Sequence, residues 1–311
     1  MRFLRWALRI FAYLAFTLVI LGLMLWVQFP AATVKKRLEA ELHKVTPDLS
    51  WKIGKVGLSL PVALHLTDVA ISVAGKKGNK ALVVVDSFAL QPDLLEYVKN
   101  KSMTARYTVG LLKGKVKGHV ILDQNYTTIQ YEGAAQGLRV EGLKGLQKEA
   151  GRTVSGILSG VFSGKGSLRG PAILECGGNF SLVDGTLAFL EPVLGMKKLD
   201  FNRLGSNFNY STDVLSLVGG TIAAPMLNGE FSGTVKPSKT DIFRSSVQLK
   251  GDVNPRSELL TSLGNPSIVK LLKKQLKGGK LPFVINGTIK APGIVFTGLP
   301  VDLNKQLQEG R

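Results

Sequence analysis

Ala63-Leu64-His65-Leu66-Thr67-Asp68-Val69-Ala70-Ile71-Ser72-Val73 decides the fold class. Leu64 and Leu66, then Val69, Ile71 and Val73, alternate with small or polar residues, and a period of two marks a half-buried strand. The pattern extends in both directions. Trp51 and Ile53, then Leu58 and Leu60, precede it, and Ala81–Val85 is a fully apolar strand. Strands resume at Ala105–Leu111 and run to about Leu138, return over 161–254, and close with Leu281–Phe296. The 35 glycines among 311 residues suit turns and strands better than long helices.

Helical signals are few. Val34, Leu38, Leu42 and Val45 fall at helical spacing among charges, so 31–46 reads as a short amphipathic helix ended by Pro47, with its stripe a packing face. Pro92–Val98 reads as a short helix opened by proline. Asn265-Pro266 opens another, with Ile268, Leu271, Leu272 and Leu276 on one side. The segment 141–160 stays open: its leucines could line a helix, but five glycines weaken it. Gly75–Asn79 reads as a turn, and Asp68, Asp86, Asp123, Asp184 and Asp213 as strand ends or turns, where short carboxylates favour the turn backbone.

Ile10–Val27 carries no charge and is long enough to span a hydrocarbon core. Trp6, Tyr13 and Trp26 suit the interfaces, and the run ends in bulky residues without a small-x-small exit, which favours an uncleaved anchor over a signal peptide. Arg2, Arg5 and Arg9 point to an N-terminus held inside. The expected organisation is a cytoplasmic N-terminus at 1–9, a transmembrane helix at 10–28, the amphipathic helix at 31–46, a periplasmic β-rich domain at 51–300 and a C-terminal tail at 301–311. The fold expected is mainly β with a few short helices: the transmembrane helix, then a long curved antiparallel sheet, taco-shaped or sandwich-like.

A formal net charge of +18 favours anionic partners such as phospholipid headgroups, lipopolysaccharide or acidic proteins. Nucleic acid is not expected, because only 7% of residues are aromatic and stacking platforms are scarce. His43, His65 and His119 lie in unrelated segments, and there is no Gly-x-Ser-x-Gly elbow. Gly164-Lys165-Gly166-Ser167-Leu168-Arg169-Gly170 lacks the order of a phosphate loop. Cys176, the single cysteine, reads as a small apolar filler. These residues carry no expectation of an enzyme, a metal or a cofactor.

One short pattern recurs: Gly-x-apolar-x-Gly, at Gly114–Gly118, Gly160–Gly164 and Gly229–Gly233. In a strand both glycines and the apolar residue share a face, thinning it and allowing bending or close approach.

The order of the motifs resembles a family. After the anchor and short helix come Val56-Gly57-Leu58-Ser59-Leu60-Pro61, Leu64-His65-Leu66-Thr67-Asp68-Val69, Pro92-Asp93-Leu94-Leu95 and the Gly-Lys-Val-Lys-Gly strand. Phe180–Phe189, Leu199-Asp200-Phe201-Asn202-Arg203-Leu204, Leu227–Val235 and Leu281–Pro292 follow. This resembles type II secretion system protein N (GspN), which in turn looks like the AsmA-type envelope proteins. The resemblance spans nearly the whole chain and brings no catalytic residues. It implies an accessory inner-membrane component of type II secretion, partnered by other proteins of that system. The AsmA side implies an AsmA-like sheet with an apolar groove and a role in lipid binding or transfer. Candidate groove residues, chosen for apolarity and strand context, are Leu64, Leu66, Val83, Val85, Val109, Val120, Phe180, Leu182 and Phe231.

Overall fold

Leu66 pairs with Phe88, Phe88 with Val109, Val109 with Val116, Val116 with Ala135, Ala135 with Gly160, and Gly160 with Phe180. Six consecutive antiparallel pairings thus form one rung across seven neighbouring strands. A computed structural model describes residues 16–17, 29–46, 49–59, 63–73, 82–93, 96–98, 102–168, 173–238, 241–263, 266–276, 278–297 and 299. Among these residues fifteen strands join a single sheet. β1 (Leu49–Lys52) and β2 (Lys55–Ser59) both pair with β3 (Ala63–Val73), and every later strand pairs with the next in sequence. The succession is β4 (Val83–Pro92), β5 (Met103–Leu111), β6 (Gly114–Leu122), β7 (Thr128–Arg139), β8 (Ile157–Ser167) and β9 (Glu175–Val193). It continues through β10 (Met196–Ser211), β11 (Val214–Ala223), β12 (Leu227–Lys236), β13 (Ser246–Pro255), β14 (Leu281–Thr288) and β15 (Pro292–Phe296).

Three hairpins turn on two residues with positive φ: Leu112-Lys113, Leu194-Gly195 and Thr212-Asp213. Positive φ at both central residues is the requirement of the turn whose twist matches paired strands. Leucine is an unusual occupant, and Leu194 is 1% exposed, so burial in the core offsets the backbone cost. The expectation that all five aspartates lie at strand ends or turns is corrected. Asp123 and Asp213 lie in turns, but Asp68, Asp86 and Asp184 lie inside β3, β4 and β9. Asp68 and Asp184 have positive φ, which a short carboxylate tolerates, and each breaks the alternation of its strand by one residue. That is why Leu66 and Val69, three apart, both face the core.

Among the described residues, helices α1 (Ala31–Val45), α2 (Lys144–Ala150), α3 (Ser257–Ser262) and α4 (Pro266–Gln275) accompany the sheet. The ambiguous segment 141–160 resolves into a 3-10 turn at Val140–Gly142, then α2, then the start of β8. Pro92 ends β4 rather than opening a helix. Asp93 does the opening instead: its Oδ1 accepts from the Glu96 amide at 3.2 Å, and Glu96–Val98 is helical. Helix α4 begins at Pro266 as expected, and α3 was not anticipated. The turn expected at Gly75–Asn79, residues 1–9, most of 10–28 and 301–311 lie outside the described residues. Among the described residues no helix is long and apolar enough to cross a membrane.

Candidate functional site

Residues paired across antiparallel strands point to the same side, so the register fixes which side chains share a face. All nine candidate residues share one. Leu64 pairs with Leu90, Val69 with Val85 and Ile71 with Val83, which puts Val83 and Val85 on the face of Leu66. Val109 and Phe180 lie on the first rung, and Val120 pairs with Ala105 on one side and Tyr131 on the other. A second rung runs Leu158, Leu182, Leu204, Ile222, Gly229, Val253 and Leu281, and Phe231 is two residues from Gly229. The opposite side is polar and exposed at Arg106, Lys115, Lys117, Glu132 and Lys165.

The face is covered in two places. At the N-terminal end, Val34, Leu38 and Leu42 of α1 pack on a core of Ile53, Val56, Leu66 and Val69. Polar bonds fasten the helix there. Glu39 Oε1 accepts from the Ile53 amide at 2.8 Å, and Lys35 Nζ donates to the Gly54 carbonyl at 3.2 Å. Trp51 Nε1 donates to Thr46 Oγ1 at 2.7 Å. Leu64 and Val85 belong to this cluster. At the C-terminal end, a larger core gathers Leu182, Leu199, Phe201, Leu227, Val253, Leu281, Phe283 and Phe296 with Leu259 of α3 and Leu272 of α4. Phe231 packs against it.

Val83, Val109, Val120 and Phe180 belong to neither core and are half-buried. With Val116, Tyr131 and Phe162, the last three form an apolar strip across β5–β9, and Val83 lies apart from it at the start of β4. The strip has a low floor because its aromatics lie flat over glycines. Tyr107 Oη sits 2.6 Å from the place a Cβ would take at Gly118, and Tyr131 Oη 2.6 Å from that at Gly164. Each hydroxyl crosses the sheet to a backbone carbonyl, Tyr107 to Glu132 at 3.0 Å and Tyr131 to Glu175 at 3.5 Å. The Tyr131 and Phe162 rings are tilted at 6.4 Å between centroids. Burial first, then Glu132, raises the Tyr107 hydroxyl pKa above its ordinary value. Burial and the Cys176 thiol do the same to Tyr131. Both phenols therefore stay neutral in the physiological range. All three Gly-x-apolar-x-Gly repeats place their glycines on this face.

Sequence reasoning missed a second concavity. An open depression of about 430 Å³ is lined by Lys144, Gln147, Lys148, Gly151, Arg152 and Thr153 with Ala188 and Phe189. On the polar side, His119 Nδ1 lies 3.3 Å from Glu132 Oε1 beside a depression of about 380 Å³ that also takes in Ser163 and Lys165. His43 and His65 lie elsewhere, bonded to the Leu49 carbonyl and Ser59 Oγ. Among the described residues no three His, Cys, Asp or Glu side chains converge as metal ligands. No family model, curated protein or solved structure matches the chain.

Proposed function

We propose that this chain is an accessory component of the type II secretion system, tethered to the inner membrane by residues 10–28, with the sheet in the periplasm. It supports protein export across the outer membrane by scaffolding or assembly, without chemistry of its own. The ordered motifs that resemble the secretion-N family support this reading. The geometric observation that carries it is a meander presenting one continuous apolar face, the arrangement of a surface that binds rather than one that reacts. The taco-shaped, AsmA-like form is part of the proposal. Its support is that Arg152, in the loop after α2, bonds the carbonyl of Ile289 between β14 and β15, a contact between the middle of the meander and its C-terminal end. The test is removal of the protein from its host. Exported proteins should then accumulate in the periplasm and return to the medium when the chain is restored. Unchanged export would overturn the reading.

One observation favours a second reading, acyl-chain binding. The strip of Val109, Val120, Tyr131, Phe162 and Phe180 belongs to neither dry core, and an apolar strip of this kind is stabilised by an apolar occupant. Photo-crosslinking side chains at Val109, Val120 and Phe180 should capture lipid in cells, while the same probes at Leu66 and Leu182 should not. Protein adducts alone at the three strip positions would remove this reading.

A further inference from the structure

Helix α2 carries Lys144, Gln147, Lys148 and Gly151 at i, i+3, i+4 and i+7, one face of a helix. Two lysines four apart repel each other, a small cost that the helix bears along its open side. Gln147 is committed to the fold: Nε2 donates to the Val140 and Val154 carbonyls at 2.9 and 2.7 Å, drawing the chain on either side of α2 together. Gly151, at φ 70 and ψ 15, ends the helix in the left-handed conformation. The Arg152 amide then donates back to the Gln147 carbonyl at 3.2 Å, turning Arg152 onto the same face as the lysines.

The Arg152 guanidinium is half-buried. Nη2 reaches the carbonyls of Ile289 and Lys290 at 2.5 and 3.3 Å, while Nε is buried with no hydrogen-bond partner among the described residues. Such a donor is costly to leave unmatched. Burial lowers the pKa of Arg152 from its ordinary value, yet an arginine remains charged. Three cations and Thr153 therefore line an open depression of about 430 Å³, and no carboxylate is among the described residues that line it. Its floor is apolar: Ala188 and Phe189 line it, and Leu190 beside them is 50% exposed.

We propose that this cup is an anion site that takes a phosphate group, in the form of a phospholipid headgroup whose chain lies against Ala188 and Leu190. Lysine and arginine donors match phosphate oxygens, and the charge-assisted bonds are stronger when partly shielded from water. The apolar floor supplies what a lipid needs and a free ion does not. The cup shares no residue with the apolar strip, so its test stands apart from both readings above.

The test is titration calorimetry of the full-length chain in an uncharged detergent, with dihexanoyl-phosphatidylglycerol, dihexanoyl-phosphatidylcholine and inorganic phosphate as separate probes. The anionic lipid should bind saturably at one site and more tightly than inorganic phosphate. The double variant K144E/K148E, altered only at exposed positions, should bind it at least about tenfold more weakly, with an unchanged melting temperature. Arg152→Lys, which keeps the charge but loses the planar fork, should bind at an intermediate level. Equal affinity for inorganic phosphate would assign the site to the free ion instead of a headgroup. Equal binding of the zwitterionic lipid, no binding of either anion, or binding unaffected by K144E/K148E would overturn the proposal.

Discussion

Glu39 accepts a hydrogen bond from the main-chain amide of Ile53, 2.8 Å away, so a helix side chain closes the backbone of the sheet's first edge. Ile53 is fully buried, and its amide lies in the break between β1 and β2, outside the strand ladder. The same helix seats Val34, Leu38 and Leu42 on the core beneath. Edge strands attract unwanted pairing, and a covering helix is one way to prevent it.

Glu39→Ala should destabilise the protein by about 1–3 kcal/mol, the cost of an unsatisfied buried amide. Glu39→Gln keeps an acceptor and should recover most of the loss. Urea unfolding of the detergent-solubilised full chain reads both, and an Ala variant as stable as the wild type would show that the bond contributes nothing.

Glycine positions in the strands separate into crowded ones on the apolar face and an open one, Gly57, which pairs with His65 on the opposite face. A side chain at Gly118 would collide with the Tyr107 ring and the Glu132 carbonyl, so Gly118→Val should cost at least about 1–3 kcal/mol. Gly57 has nothing within 4 Å of its Cβ position, and Gly57→Ala should leave the midpoint unchanged or raise it slightly. Within one repeat the same contrast holds. Gly233, at φ 154 and against the Gln248 carbonyl, should tolerate alanine worse than Gly229, whose nearest neighbours lie at 3.3 Å. Equal losses at Gly229 and Gly233 would show that crowding on this face is not the reason for the repeat.

Asp123 closes the β6–β7 turn. Its carboxylate accepts from the Thr127 amide at 2.7 Å, the Thr128 amide at 3.0 Å and Thr127 Oγ1 at 2.7 Å. The Thr128 amide first, then the Thr127 hydroxyl, hold its pKa below the ordinary carboxylate value. A depressed folded pKa contributes stability that is present above the unfolded value and is lost as pH falls through the folded one. Asp123→Asn should therefore lower the melting temperature near neutral pH, with the difference fading in acid. A difference that persists undiminished in acid would assign the effect to something other than the charge.

The orientation proposed for the chain rests on Arg2, Arg5 and Arg9 ahead of the apolar run. A reporter active only in the periplasm, fused after Arg311, should be active. Activity from a cytoplasm-only reporter at that position, with the periplasmic one silent, would reverse the assignment.

The strands and their shared face were legible because alternation is a local signal. Leu64, Val109, Phe180 and Phe231 lie far apart in sequence, yet register alone puts them together. What alternation could not reveal is where it slips. Asp68 and Asp184 look like turn residues because the same left-handed backbone serves a turn and a break in a strand's alternation. Helix α3, Ser257–Ser262, is too short to show a period. The cup around Arg152 had no signal at all, since its geometry depends on a helix cap at Gly151 and on carbonyls 137 and 138 residues further along.

The unbroken strand succession from β3 to β15 bears on how the molecule is made. Each of these strands needs only the one before it as a template, so pairing can advance in the order of synthesis, with no segment held unpaired for a distant mate. A chain threaded through a membrane from its N-terminus would lay down its sheet one hairpin at a time. Until the last strand arrives, the growing border stays unpaired, which is when such a chain is most exposed to mispairing.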